Sequence, residues 1–438
     1  MKTAAASRAA APITFALEAS PLRRLRHGSL LATLLVGAMI PWYTLHLFPA
    51  ITVGAAKVNL LDVLAACAVL VAIPTIVRRL LGGPRTVLWV AAFIAYMLIP
   101  LIAGLRDPHA RFLAVRESRA LAFYLLALVF ASGGYQPRDF RAFAAAYVIG
   151  TVVAIAAVFA HLLGFIALPG YPPQAVAGRA YTWWSVRYLE WTVMVTAFLL
   201  SLATAMTTSS RPARLWWGAA SAAIAWYVLA TSERFLQFLA VATGMVVISL
   251  PVFGGLRPRR LAIIGAALAV AALIGIGAAG GYGPAWFTVP VKSSVYRWVR
   301  AGADNSVQDR LAELREVGRR LAPNPLFGEG LGGLVLRRAP HDPGHPWPYA
   351  SSGYVFLLIK TGILGLGLYL GMVWAAVVAG RRAIRARTVA VGWPAPVIGM
   401  VGLGLLLTLN VLYPTVDTPE GAIAFSLFYG MLVSPETV

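Results

Sequence analysis

Residues 21–48, PLRRLRHGSLLATLLVGAMIPWYTLHLF, set Arg23, Arg24 and Arg26 directly before a mostly apolar stretch running from Ser29 to Phe48. A helix that crosses a bilayer needs about 20 such residues. A cleaved secretory signal has a shorter apolar core of roughly 7–15 residues, ending in small residues at the cleavage site. The stretch therefore reads as an uncleaved first membrane helix with its basic flank in the cytoplasm.

The rest of the chain repeats this pattern. Further apolar runs lie near 59–77, 86–105, 112–131, 142–168, 188–207, 214–231, 235–253, 261–281, 351–379, 391–412 and 419–434. The runs at 112–131 and 188–207 are the least clean, because charges enter them. Their length and continuity favour helices over barrel strands, which alternate over about 10 residues. Of the 438 residues, 59% are hydrophobic and 12% charged, with mean hydropathy +0.76. A soluble domain is ~25% charged. Such a chain lacks the polar coat that a cytosolic enzyme, a disordered tail or a nucleic-acid-binding domain would need. The expected fold class is all-α: one polytopic membrane domain over residues 1–438, with about twelve transmembrane helices.

The net charge of +21 is not a nucleic-acid signal, because the arginines sit in short clusters between apolar runs. These clusters are Arg78/Arg79/Arg85, Arg138/Arg141, Arg211/Arg214, Arg257/Arg259/Arg260 and Arg381/Arg382/Arg385/Arg387. Positive-inside bias places them, and both termini, in the cytoplasm. Residues 282–350 then form a long extracytoplasmic loop between helices nine and ten, with a short helix expected around 306–322. Cys67 is the single cysteine, so no internal disulfide can form.

Basic residues on the opposite side are the candidates for chemistry. Arg116 and Arg119, spaced i and i+3, share a helix face near membrane depth, where an ionisable group is costly and marks a functional candidate. Glu117 between them points elsewhere, and a purely structural role for the pair stays open. Arg234 follows Glu233 in a tight turn; adjacent helical residues do not face one another, so Arg234 is free to face something else. Ser306–Asp309 looks like an N-cap, and a helix can run on to Leu321 before Pro323. Val307, Leu311, Leu314, Val317 and Leu321 would share one arc of that helix. Arg310 falls within the arc, whereas Arg315, Arg319 and Arg320 fall outside it. A guanidinium pressed against protein needs an anionic partner, either an internal acid or a ligand. Several such arginines around one cavity suit a diphosphate, which they grip bidentately. Tyr181, Trp183, Trp184, Tyr188 and Trp191 read as an interfacial belt or as sugar-stacking rings. No HExxH, GxSxG, P-loop or aspartate-rich metal motif is present. His341 and His345 flank Asp342 in a Pro-rich stretch that could hold a general base, a metal or neither.

Asn324–Gly332, NPLFGEGLG, resembles the Pro-Leu-Phe-Gly-x-Gly-x-Gly segment of bacterial O-antigen polymerases and ligases. Tyr354–Gly365, YVFLLIKTGILG, is similar to the helix that follows in that family, and Ser232-Glu233-Arg234 resembles its Ser-Arg at an outer turn. The resemblance implies a metal-independent glycosyltransferase without cofactor, using an undecaprenyl-diphosphate-linked glycan as donor and a glycan or glycolipid as acceptor. It would act at the outer face of the bacterial cytoplasmic (inner) membrane, among membrane lipids, with a flippase or chain-length regulator as partners and no nucleic acid. Arg234 and Arg310 would correspond to the family's diphosphate-binding arginines. Ligases of the family carry His-Asn where this chain has Ser351-Ser352, and serine cannot replace imidazole as a base near pH 7. His345, Asp304 or Glu329 would then have to serve, which favours a polymerase over a lipid A core ligase. The reading from another class is a twelve-helix transporter or lipid-linked-glycan flippase. A structural component of an envelope assembly, with its outer arginines on lipid headgroups, also stays open.

Overall fold

The computed structural model describes residues 21–45, 51–53, 56–82, 85–162, 164–168, 189–231, 305–333, 350, 352–385, 395–412 and 415–434. Every apolar run expected on these residues is helical. The runs at 235–253 and 261–281, both termini and most of 282–350 lie outside them.

Helix α1 (Pro21–Thr44) is joined to α2 (Leu60–Gly82) through a short antiparallel hairpin, β1 (Ile51–Val53) and β2 (Ala56–Val58), with Ile51 opposite Val58. Helices α3 (Arg85–Arg106), α4 (Arg111–Ala122), α5 (Leu125–Ser132), α6 (Pro137–Leu162), α7 (Trp191–Thr207) and α8 (Arg211–Thr231) follow. After them come α9 (Asn305–Leu321), α10 (Gly353–Arg385), α11 (Ala395–Leu412), a 3₁₀ turn (Thr415–Asp417) and α12 (Pro419–Val433). The chain is a helical membrane protein. Helices α2, α3, α6 and α10 are each long and apolar enough to cross a bilayer. They also turn large apolar side chains outward, including Leu70, Val77 and Leu81 of α2 and Leu98 and Ile102 of α3. In water such a surface would aggregate; in lipid it is the solvated face.

The core is built around α12. Every residue from Glu420 to Val433 is buried, and the helix packs against α5, α7, α10 and α11. At 15 residues it is about 22 Å long, short for a lipid-exposed span. Enclosure by other helices removes that requirement. Phe93, Tyr124, Tyr369 and Phe425 knit α3, the α4–α5 turn, α10 and α12 together through edge-on and tilted ring contacts 5.3–6.5 Å apart.

Two boundaries and one helix face differ from the sequence reading. The run at 112–131 is not one helix: at Phe123 and Tyr124 the backbone tightens into i→i+3 hydrogen bonds, which separate α4 from α5. The run at 142–168 starts earlier and ends earlier. Asp139 accepts the Gln136 N–H at 2.8 Å to open α6, and Gly164 (φ 79°) follows its end. Helix α9 begins and stops close to where expected, but its inward face is rotated. Glu313 and Val317 are buried whereas Leu314 is exposed. The cause is polar: Arg320, two turns after Glu313, turns in to meet Glu329.

Candidate functional site

The segment that carries the NPLFGEGLG motif is wedged among three helices. Gly328, Gly330 and Gly332 alternate along it with φ of 71°, 89° and 83°, a region that side chains with a Cβ seldom enter. A Cβ on Gly328 would strike the carbonyl of Ile359 in α10, and one on Gly332 would strike the carbonyl of Ala110 at the start of α4. Between the glycines, Leu331 is buried and its N–H donates to the Pro100 carbonyl of α3 at 2.9 Å.

The wedge enters a break in α10. Gly362 has φ 67° and ψ −170°, so the helix is interrupted there. In a continuous helix, Ile363 N–H would donate to Ile359 C=O and Leu364 N–H to Lys360 C=O. Here the Ile359 and Lys360 carbonyls accept from Glu329 and Gly330 N–H at 2.8 and 3.1 Å. The N–H groups of Ile363 and Leu364 donate instead to the carbonyls of Pro325 and Leu326, at 2.9 and 3.2 Å. Tyr96 Oη donates to the carbonyl of Thr361 at 2.6 Å. The freed backbone groups are thus satisfied by the wedge and by α3, as a buried break in a helix demands.

Charge closes the arrangement. Lys360 is wholly buried, and its Nζ lies 2.8 Å from Glu117 Oε1. Nζ also donates to the Gly333 carbonyl and lies 5.7 Å from the Phe356 ring centre. The other oxygen of Glu117 accepts the Gly332 N–H at 2.6 Å. Glu117 therefore binds α10 and the wedge at once. Its neighbour Arg116 is exposed and electrostatically coupled to it.

Arg119, on the same helix, takes a different partner. Its Nε donates to Asp62 Oδ1 of α2 at 2.7 Å, and its guanidinium lies 5.2 Å from the centre of the Tyr43 ring of α1. The structure thus separates the tasks of Arg116 and Arg119: Arg119 ties α4 to α1 and α2, whereas Arg116 stays at the surface.

The turn between α11 and α12 lies at the same end of the bundle. Asn410 Oδ1 accepts from Thr415 Oγ1 at 2.6 Å and from Val416 N–H at 3.0 Å, while its amide donates to Tyr369 Oη at 3.2 Å. This fixes Asp417, whose Oδ1 is buried with no hydrogen-bond partner. Burial, with Glu117 and Glu190 nearby, pushes the Asp417 carboxyl up to about 8. This favours the protonated form at neutral pH.

Among the residues expected to carry chemistry, Glu329 is fully placed. Arg320 donates from Nε to its Oε1 at 2.6 Å and from Nη2 to its Oε2, so this carboxylate ties α9 to the wedge. Arg310 lies in α9, two turns before Val317; nothing beyond its backbone position is described. Arg234, Asp304, His345 and the 181–188 aromatics lie outside the described residues. Ser352 Oγ donates to the Asn410 carbonyl at 2.9 Å. Lys360, Asp62 and Asp417 escaped the sequence reading. A lysine in the middle of the 351–379 apolar run was the available signal for the first.

No protein-family model matches the chain, and no curated protein matches it.

Proposed function

We propose that the chain is a glycan polymerase of the bacterial cytoplasmic membrane, with about twelve spans, cytoplasmic termini and residues 282–350 outside. It transfers a glycan, with inversion, from an undecaprenyl-diphosphate-linked donor to an acceptor glycan. The acceptor hydroxyl attacks the anomeric carbon and the carbon–oxygen bond to the diphosphate breaks. The hydroxyl proton passes to a base, and undecaprenyl diphosphate leaves. Arg234 and Arg310 meet the charge that develops on the leaving oxygens, the kind of stabilisation that usually contributes most. His345 or Asp304 takes the proton, because Glu329 is engaged by Arg320.

The observation that supports this reading is placement. Helix α9 and the wedge join the bundle at the end of α3, the first half of α4 and the first turns of α10. The basic clusters Arg78/Arg79, Arg138/Arg141, Arg211/Arg214 and Arg381/Arg382/Arg385 lie at the opposite ends of α2, α6, α8 and α10. With those clusters in the cytoplasm, the wedge and α9 face the side on which lipid-linked glycans are polymerised. An O-antigen ligase shares this geometry and differs in its acceptor; Ser351-Ser352 in place of the family's His-Asn favours the polymerase.

The break in α10 also suits a transporter, whose discontinuous helices offer their ends to substrate. Here the carbonyls of Ile359 and Lys360 and the N–H groups of Ile363 and Leu364 are all taken by the wedge. None is left for a cargo.

Deleting the gene tests the proposal. Envelope glycan should collapse from long chains to single repeat units, and the chain should restore length when returned. Unchanged chain lengths would refute it.

A further inference from the structure

The wedge is held by backbone hydrogen bonds, by close glycine packing and by charge at both of its ends. Four backbone hydrogen bonds hold it in the gap of α10. The glycines let it lie flat against α3, α4 and α10. Lys360 and Glu117 then clamp its far end from two helices, through the Gly333 carbonyl and the Gly332 N–H. At the near end, Arg320 grips Glu329, so α9 is carried by the wedge. The connection runs without interruption from a buried ion pair to the helix that bears Arg310.

If the wedge withdrew, the carbonyls of Ile359 and Lys360 would accept from Ile363 and Leu364, as in an ordinary helix, and α10 would close. Such a closure would orphan no groups at the break in α10, although the wedge would give up its own backbone partners there. The buried charges add a cost to withdrawal: without the Gly332 and Gly333 contacts, Lys360 and Glu117 would lose partners in a setting where water cannot replace them.

We infer that Glu117 and Lys360 are positioning residues, a latch that seats the 325–333 wedge in the broken α10 and thereby fixes α9, the helix that carries Arg310, for donor binding. The catalytic half of this inference rests on the glycan-transfer reading; the latch itself does not.

The test uses the full-length protein in detergent or nanodiscs, in a Cys67→Ser background. Nitroxide labels go at Arg106→Cys on α3 and Arg315→Cys on α9, both exposed positions, and the inter-label distance distribution is measured by pulsed electron spin resonance. The latch predicts a single narrow distribution for the parent. It predicts a broadened or two-component one for Lys360→Met, for Glu117→Gln and for the neutral double variant, in which no unpaired buried charge remains to unfold the protein. Thermal midpoints identify any variant that fails to fold, and the double variant carries the conclusion. With undecaprenyl-diphosphate-linked glycan as substrate, the double variant should raise the donor KM about tenfold while kcat at saturating donor changes little, the pattern of a displaced binding group. A narrow, parent-like distribution in the folded double variant would overturn the latch. A broadened distribution with an unchanged donor KM would overturn the positioning role. A parent protein that turns over no donor would count against the transfer reading alone, and the distances would still decide the latch.

Discussion

Lys360 of α10 meets Glu117 of α4 at 2.8 Å with its side chain wholly buried. Two ionised groups so placed are stable only while both are present, because each is the other's replacement for water.

Removing one partner should therefore be worse than removing both. Lys360→Met and Glu117→Gln should each destabilise the protein by about 3–5 kcal/mol, and the double variant by clearly less than their sum. Thermal unfolding in detergent reads this directly. Additive losses would mean that the pair is not coupled.

Gly362 should tolerate no side chain. At φ 67° and ψ −170°, a region essentially confined to glycine, alanine costs about 1–3 kcal/mol, and its Cβ would meet the Leu326 carbonyl. Gly362→Ala should lower the thermal midpoint, whereas Gly367→Ala in the same helix, where a Cβ meets nothing, should not. Equal midpoints would contradict the broken helix.

The Arg119–Asp62 pair should behave as a tie between helices. Asp62→Asn keeps a hydrogen-bond acceptor but removes the charge beside a side chain that is 26% exposed, and should cost roughly 1–3 kcal/mol. A double-mutant cycle with Arg119→Gln should show coupling; its absence would leave Arg119 available for a ligand.

Asp417 makes stability depend on pH. Its folded value is raised from 3.8 to about 8, so the folded state holds a proton that the unfolded state releases. The stabilising contribution is full below the unfolded value and is lost as pH rises through the folded one. The thermal midpoint should fall between about pH 5.5 and about pH 8.5, and Asp417→Asn should lessen that fall. Parallel curves for the two proteins would show that another group titrates.

The helices were legible because lipid demands long apolar runs, and that demand acts on sequence locally. What the runs hid were the interruptions. The α4–α5 turn at Phe123–Tyr124 contains neither glycine nor proline. The break at Gly362 is completed by partners from residues 325–330, which no local pattern reveals. At the site, Arg116 and Arg119 drew attention as cations out of place, and the acid between them proved to be the group that joins α4, α10 and the wedge. The i, i+3 spacing put both arginines on one face, but their partners come from tertiary contacts. Leu314 misled for a related reason: the apolar arc of α9 competes with the Arg320–Glu329 tie, and the tie sets the rotation.

Donor turnover by the purified protein tests the central claim most directly. Purified full-length chain, given undecaprenyl-diphosphate-linked glycan with acceptor glycan, should release undecaprenyl diphosphate and lengthen the acceptor by whole repeat units. Arg310→Lys, which keeps the charge but loses the planar fork, should slow both products together. A donor that stays intact with wild-type protein, or wild-type rates from Arg310→Lys and Arg234→Lys alike, would contradict the account.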